Sequence, residues 1–188
     1  GTHVAGICSG SGANSNGKYR GIAPESNIVM IKALDFEGKG TASDVLTGIQ
    51  WIADNCKKYN IRILNMSIGA GITNTKDPLV RAAEILWDMG IVVVAAAGNN
   101  GPQKGTISSP GISKKIITVG SADDINVPEN DIGKSYSGRG PTKECVIKPD
   151  VVAPGTNIIS CLCEDNKSNN YYKSLSGTSM STPIVSGA

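Results

Sequence analysis

Excess charge is nearly absent from this 188-residue sequence: 18 Lys and Arg stand against 16 Asp and Glu, a net +2. No basic run is longer than the pairs Lys57-Lys58 and Lys114-Lys115. Binding nucleic acid by phosphate neutralisation needs a basic stripe, so no nucleic-acid partner is expected. Long apolar runs are also missing. The longest clean one, Ile91 to Ala97, falls far short of the ~20 residues of a membrane helix, and no membrane partner is expected. Histidine occurs once, at His3, and the cysteines (Cys8, Cys56, Cys145, Cys161, Cys163) form no CxxC pair. That leaves little for a zinc site, and neither metal nor cofactor is expected. Cys161 and Cys163 on an extended segment would point to opposite faces. An odd, unpatterned set favours a reducing compartment, so the expected location is the cytoplasm, with secretion as the alternative. Charged residues are 18% and hydrophobic ones 39%, which excludes charge-driven disorder.

Glycine is what the sequence has in excess, at 23 of 188, about 12% against a usual ~7%. Glycine and proline together make 32 residues, about 17%, below the ~25–30% of low complexity. Tight turns and close backbone approaches follow. The length suits one domain or part of a larger one. The chain opens at Gly1-Thr2-His3, without a start methionine or a charged-then-apolar leader. With the uncapped stop at Ala188, this suggests an excised piece, cut at both ends.

Strand-like and helix-like segments alternate. Asn27–Leu34 is a short apolar run, the first of the strand-like segments. Thr41 to Tyr59 has helical spacing at Val45, Ile49, Ile52 and Cys56, with Ser43 or Asp44 as its starting signal and Lys57-Lys58 at its C-terminal end. Arg62–Met66 reads as a strand. Asp77 to Met89 reads as a helix with Pro78 at its first position and Gly90 as its stop. Ile91–Ala97 and Lys115–Val119 read as further strands, and Asn157–Cys161 as one more short one. Strands apolar on both faces are buried on both faces, which implies a mostly parallel, doubly wound α/β sheet whose connections carry helices. Asn130–Pro141 and Glu164–Lys173 are polar and loop-rich, and Gly177–Ala188 reads as a tight turn into a small-residue helix. There are no internal repeats.

Four windows carry chemistry-bearing residues. In Gly177-Thr-Ser-Met-Ser-Thr-Pro183 a serine stands at a helix start, where free N–H groups and the dipole favour developing negative charge. Ser179 there is either a nucleophile or a simple cap. In Ala95-Ala-Ala-Gly-Asn-Asn-Gly101 a buried strand ends in a turn, or in an amide donor for a reacting carbonyl. Asn65-Met-Ser-Ile-Gly69 and Glu37-Gly-Lys-Gly40 are turns, or edges that pair with an extended peptide.

Together with Gly1-Thr-His-Val-Ala-Gly6, Gly21-Ile-Ala-Pro24 and Lys148-Pro-Asp-Val-Val-Ala-Pro-Gly155, these windows resemble the subtilisin-like serine proteases, in that family's order and over almost the whole chain. The resemblance implies polypeptide substrates and a subtilisin-like fold. It makes Ser179 the nucleophile and Asn99 the oxyanion donor. Ser67, Ile68 and Gly69 would pair with substrate on one side and Gly38, Lys39 and Gly40 on the other. Ala96, Ala97 and Gly98 would line the pocket for the residue before the scissile bond. Met180 would be sensitive to oxidation.

The resemblance also carries departures. The family's base is the first histidine of His-Gly-Thr-His, whereas His3 matches the second, so a structural role is expected for it. The catalytic aspartate lies further upstream in the family. Residues 1–188 would then be a partial catalytic domain, nearly inert without its base, and prone to self-association through exposed sheet edges. Ser9 to Arg20 carries no carboxylate and two cations, a poor calcium cage and closer to the intracellular-type bacterial branch. A small, uncharged pocket floor implies room for a large apolar side chain. The competing expectations are a pseudoprotease that binds peptides without cutting them, and a purely structural piece.

Overall fold

A computed structural model describes residues 1–71, 74, 76–122, 135–163 and 171–188. Its centre is a four-stranded parallel sheet of β1 (Ile63–Met66), β2 (Val92–Ala96), β3 (Ile117–Ser121) and β4 (Val151–Ala153), in the order β1-β2-β3-β4. Asn65 sits opposite Val94, Ala96 opposite Val119, and Ser121 opposite Ala153. Alternation along β2 divides the core. Val93 and Ala95 face one way, into a cluster with Ile49 and Ile52 of α2 (Ala42–Asn55) and Ala83 and Leu86 of α3 (Pro78–Asp88). Val94 faces the other way, with Val119, Ala153 and the partly buried Ile184 and Val185 of α4 (Thr178–Gly187). Helices thus cover both faces, as a parallel sheet requires. The doubly wound α/β class expected from the sequence holds.

α1 (Thr2–Ser9) packs on α4 and on a separate antiparallel hairpin of β5 (Ile158–Cys161) and β6 (Tyr172–Leu175). His3 is buried there, and its Nε2–H is within reach of the carbonyls of Ile158 at 3.1 Å and Lys173 at 2.9 Å. Ser160 Oγ returns a bond to the His3 carbonyl at 2.8 Å. The ring staples a helix to a hairpin.

Several expectations need correction. Asn27–Leu34 forms no strand: it joins no ladder among the described residues. Ile31 and Ala33 pack toward α2, while Ile28 and Met30 stay 46% and 55% exposed. An apolar run suits a strand, but a strand also needs a neighbour. α2 is capped by Thr41 rather than by Ser43 or Asp44. Thr41 Oγ1 accepts from Asp44 N–H, and the Asp44 carboxylate accepts from Thr41 N–H, a reciprocal capping box. The helix ends at Asn55, before Lys57-Lys58. Of the three sheet connections, only β1 to β2 carries a helix among the described residues. β4 and β6 were not anticipated. Asn130–Lys134 and Glu164–Asn170 of the two polar stretches lie outside the described residues.

Candidate active site

The site forms where β1 and β2 end and α4 begins. Thr178, at the first position of α4, is fully buried and organises it. Its backbone N–H and its hydroxyl both donate to Asn99 Oδ1, each at 3.0 Å. The same hydroxyl accepts from Gly98 N–H at 3.2 Å. The amide oxygen of Asn99 is therefore occupied, while its Nδ2 donor makes no hydrogen bond among the described residues. Asn99 itself is exposed at the strand end.

Ser179 follows Thr178 in the first turn of α4, at the positive end of the helix dipole. Its hydroxyl donates to the Ser67 carbonyl over a long 3.3 Å, and Ser67 Oγ donates to the Ser179 carbonyl at 2.9 Å. A weakly held hydroxyl at a helix N-terminus, beside an amide donor whose oxygen is anchored, suits attack on a carbonyl with stabilisation of the resulting oxyanion. Both groups line a cleft of about 380 Å³ together with Ile68, Gly69, Ala96 and Gly98. No ionisable side chain is among its lining residues within the described part of the chain.

Gly98 is closely approached by Ser108. It has φ +92°, in the left-handed region, and a Cβ there would collide with Ser108 Oγ. Ser108, Asn100, Ala70 and Gly71 also line the cleft, and the sequence reading missed them. Ser108 reaches it because the chain after Asn100 turns back, so that Ser108 N–H donates to the Ala97 carbonyl at 2.9 Å. Asn100 Nδ2 then donates to Ser108 Oγ at 3.3 Å. Only the Asn-Asn-Gly turn signal hinted at that return.

Not every expected residue converges here. Ala97 is fully buried with Val80, Ile107 and Ile112, because strand alternation turns it away from Ala96 and the cleft. Gly38, Lys39 and Gly40 belong to a tight turn around Asp35, whose carboxylate accepts from the N–H groups of Glu37 and Lys39. Lys39 and Gly40 line a separate groove beside α2. His3 is held by hairpin carbonyls and makes no hydrogen bond to Ser179. Met180 is 7% exposed.

The model of the Subtilase family (Peptidase_S8) matches residues 1–188. This chain belongs to the subtilase family. It is 44% identical over 209 aligned positions to serine protease AprX of Bacillus subtilis (strain 168), covering 100% of this chain and 46% of that protein. It is 36% identical over 190 positions to subtilisin DY of Bacillus licheniformis, covering 100% of this chain and 61% of that protein. Among solved structures it is similar to sphericase, with a TM-score of 0.78, 31% identity, and coverage of 98% of this chain and 60% of that one. The subtilase chain thus spans about half the length of the first of these relatives.

Proposed function

We propose that the full-length subtilase is a serine endopeptidase that cleaves polypeptides through an acyl-enzyme on Ser179. The observation that carries this reading is the paired geometry of Thr178. One residue places the Ser179 hydroxyl at the helix start and holds the Asn99 oxygen with two donors, leaving the Asn99 Nδ2–H₂ for the oxyanion. In the acylation step Ser179 Oγ attacks the peptide carbonyl, its proton passes to a base and then to the leaving amine, and Asn99 donates to the carbonyl oxygen as it becomes negative.

The base lies outside residues 1–188 in this reading, and so does the acid that orients it. The chain has one histidine, and that ring is engaged by the Ile158 and Lys173 carbonyls. Residues 1–188 are then part of a catalytic domain and nearly inactive by themselves. Ser67, Ile68 and Gly69, at the end of β1, pair with substrate backbone, and Ala96 and Gly98 form the wall of the pocket. With no ionisable lining, the pocket favours a large apolar side chain over a basic one. For Gly38, Lys39 and Gly40 the second pairing edge remains the proposal, supported by the sequence resemblance alone. Five free thiols fit a cytoplasmic enzyme. The isolated chain is proposed to self-associate, because β1 ends the sheet and Ile28, Met30, Val151 and Val152 are exposed; sedimentation as a clean monomer at high concentration would count against it.

The test is hydrolysis of an unstructured protein by the full-length enzyme. Ser179→Ala should abolish cleavage. Asn99→Ala should lower turnover by about 10²–10³-fold, a magnitude that comes from a subtilisin itself. Binding of peptides without any cleavage by the unmodified enzyme would favour a pseudoprotease instead.

A further inference from the structure

Behind Ser179 runs a chain of hydrogen bonds that the peptidase reading does not use. Ser186, two turns along α4, is 5% exposed, and its hydroxyl donates to Asn65 Oδ1 at 2.9 Å, with the Thr182 carbonyl at 3.1 Å as its other acceptor. Asn65 stands on β1 and its Nδ2 donates to Ser67 Oγ at 2.9 Å. Ser67 Oγ in turn donates to the Ser179 carbonyl at 2.9 Å. Each donor in the series sets the direction of the next. A hydroxyl donor on Oδ1 fixes which end of the Asn65 amide faces Ser67. An amide donor on Ser67 Oγ leaves the Ser67 proton free for the Ser179 carbonyl.

We infer that Ser186 and Asn65 are positioning residues for the nucleophile, acting through Ser67 to hold the backbone of Ser179 against the end of β1. α4 is tied to β1 at two levels, at Ser179 by Ser67 and two turns later at Ser186 by Asn65. The double tie resists both sliding and rotation of the helix that carries Ser179. Sub-ångström placement of a nucleophile relative to its oxyanion donor changes the rate of attack without changing how the substrate is held. Loss of the tie therefore lowers kcat and leaves KM nearly unchanged. This rests on the peptidase reading above.

The experiment uses the full-length protein and counts competent sites by burst titration, so that loss of folded protein is separated from loss of rate. Ser186→Ala should lower kcat per titrated site by about three- to tenfold, the rate equivalent of one ordinary hydrogen bond, with KM within about twofold. Ser186→Thr keeps the hydroxyl and should retain most of the rate. Asn65→Asp keeps the oxygen that Ser186 bonds but loses the donor to Ser67, and should fall as Ser186→Ala does. It carries the same test if Ser186→Ala does not fold. An unchanged kcat per titrated site, with only a lower unfolding midpoint, would make the residues merely structural and overturn the inference while leaving the peptidase reading intact. An unmodified full-length enzyme that cleaves no peptide and is not modified at Ser179 by a serine-reactive fluorophosphonate overturns both.

Discussion

Gly98→Ala separates two physical costs at one position of the cleft. The first is conformational: at φ +92° an L-residue costs about 1–2 kcal/mol relative to glycine. The second is steric. The new methyl would run into Ser108 Oγ and stand 2.8 Å from Ser108 Cβ, an overpacking cost of about 1–3 kcal/mol. Ser108 cannot easily retreat, because it is 2% exposed and its N–H is bound to the Ala97 carbonyl. The single variant should lose about 2–5 kcal/mol in all. Ser108→Gly removes the obstructing atoms but leaves the backbone as it is. On that background Gly98→Ala should cost only about 1–2 kcal/mol, so the pair should couple by about 1–3 kcal/mol. The assay is urea unfolding of the full-length protein on a Ser179→Ala background, which prevents self-digestion. Additive costs, or a loss below 1 kcal/mol for Gly98→Ala alone, would refute the steric part of the reasoning.

Other perturbations have defined outcomes. Ser181 is fully buried in α4 and its hydroxyl has no partner among the described residues, so Ser181→Ala should raise stability by about 1 kcal/mol in the same urea assay. The Lys148 ammonium is buried and bonds both the Ile116 carbonyl and the Asp150 carboxylate. Asp150→Ala should therefore cost about 2 kcal/mol or more, because a buried cation loses its counter-charge. At the start of α2, the Thr41 hydroxyl and then its backbone N–H hold the Asp44 carboxyl below its ordinary pKa. The stability this contributes is complete above the unfolded carboxylate pKa and is lost as the pH falls through the lower folded value. Asp44→Asn should accordingly make the acid side of the stability–pH curve shallower.

How far the sequence could be read depends on where each element finds its partners. Val92–Ala96 was legible because it is apolar on both faces, and only a doubly covered strand can be. β4 and β6 were not legible, because Val151 and Val152 are exposed and the ladder that makes them strands is supplied by β3 and β5. The Asn27–Leu34 run failed in the opposite sense, since its pattern was right but no described strand lies beside it. Thr41, Ser43 and Asp44 all suit a helix cap, and only the reciprocal geometry of Thr41 with Asp44 selects among them. At the site, Ser179 and Asn99 stand in windows that could be recognised locally. Ser108 could not be found that way, because it enters through a loop whose return no local pattern specifies. The burial of Ala97 away from the cleft lining was not legible, because three small residues in a row hide the alternation that turns the middle of them away from its neighbours.

In the function proposed above, Ser179 is the nucleophile and its base lies outside these 188 residues. The direct measurement is labelling with a serine-reactive fluorophosphonate followed by peptide mapping, on the full-length protein and on residues 1–188 alone. Modification is expected in the full-length protein at Ser179, with none in its Ser179→Ala variant and none in the isolated chain. Rapid labelling of the isolated chain at Ser179 that disappears in His3→Ala would make His3 the base and contradict it.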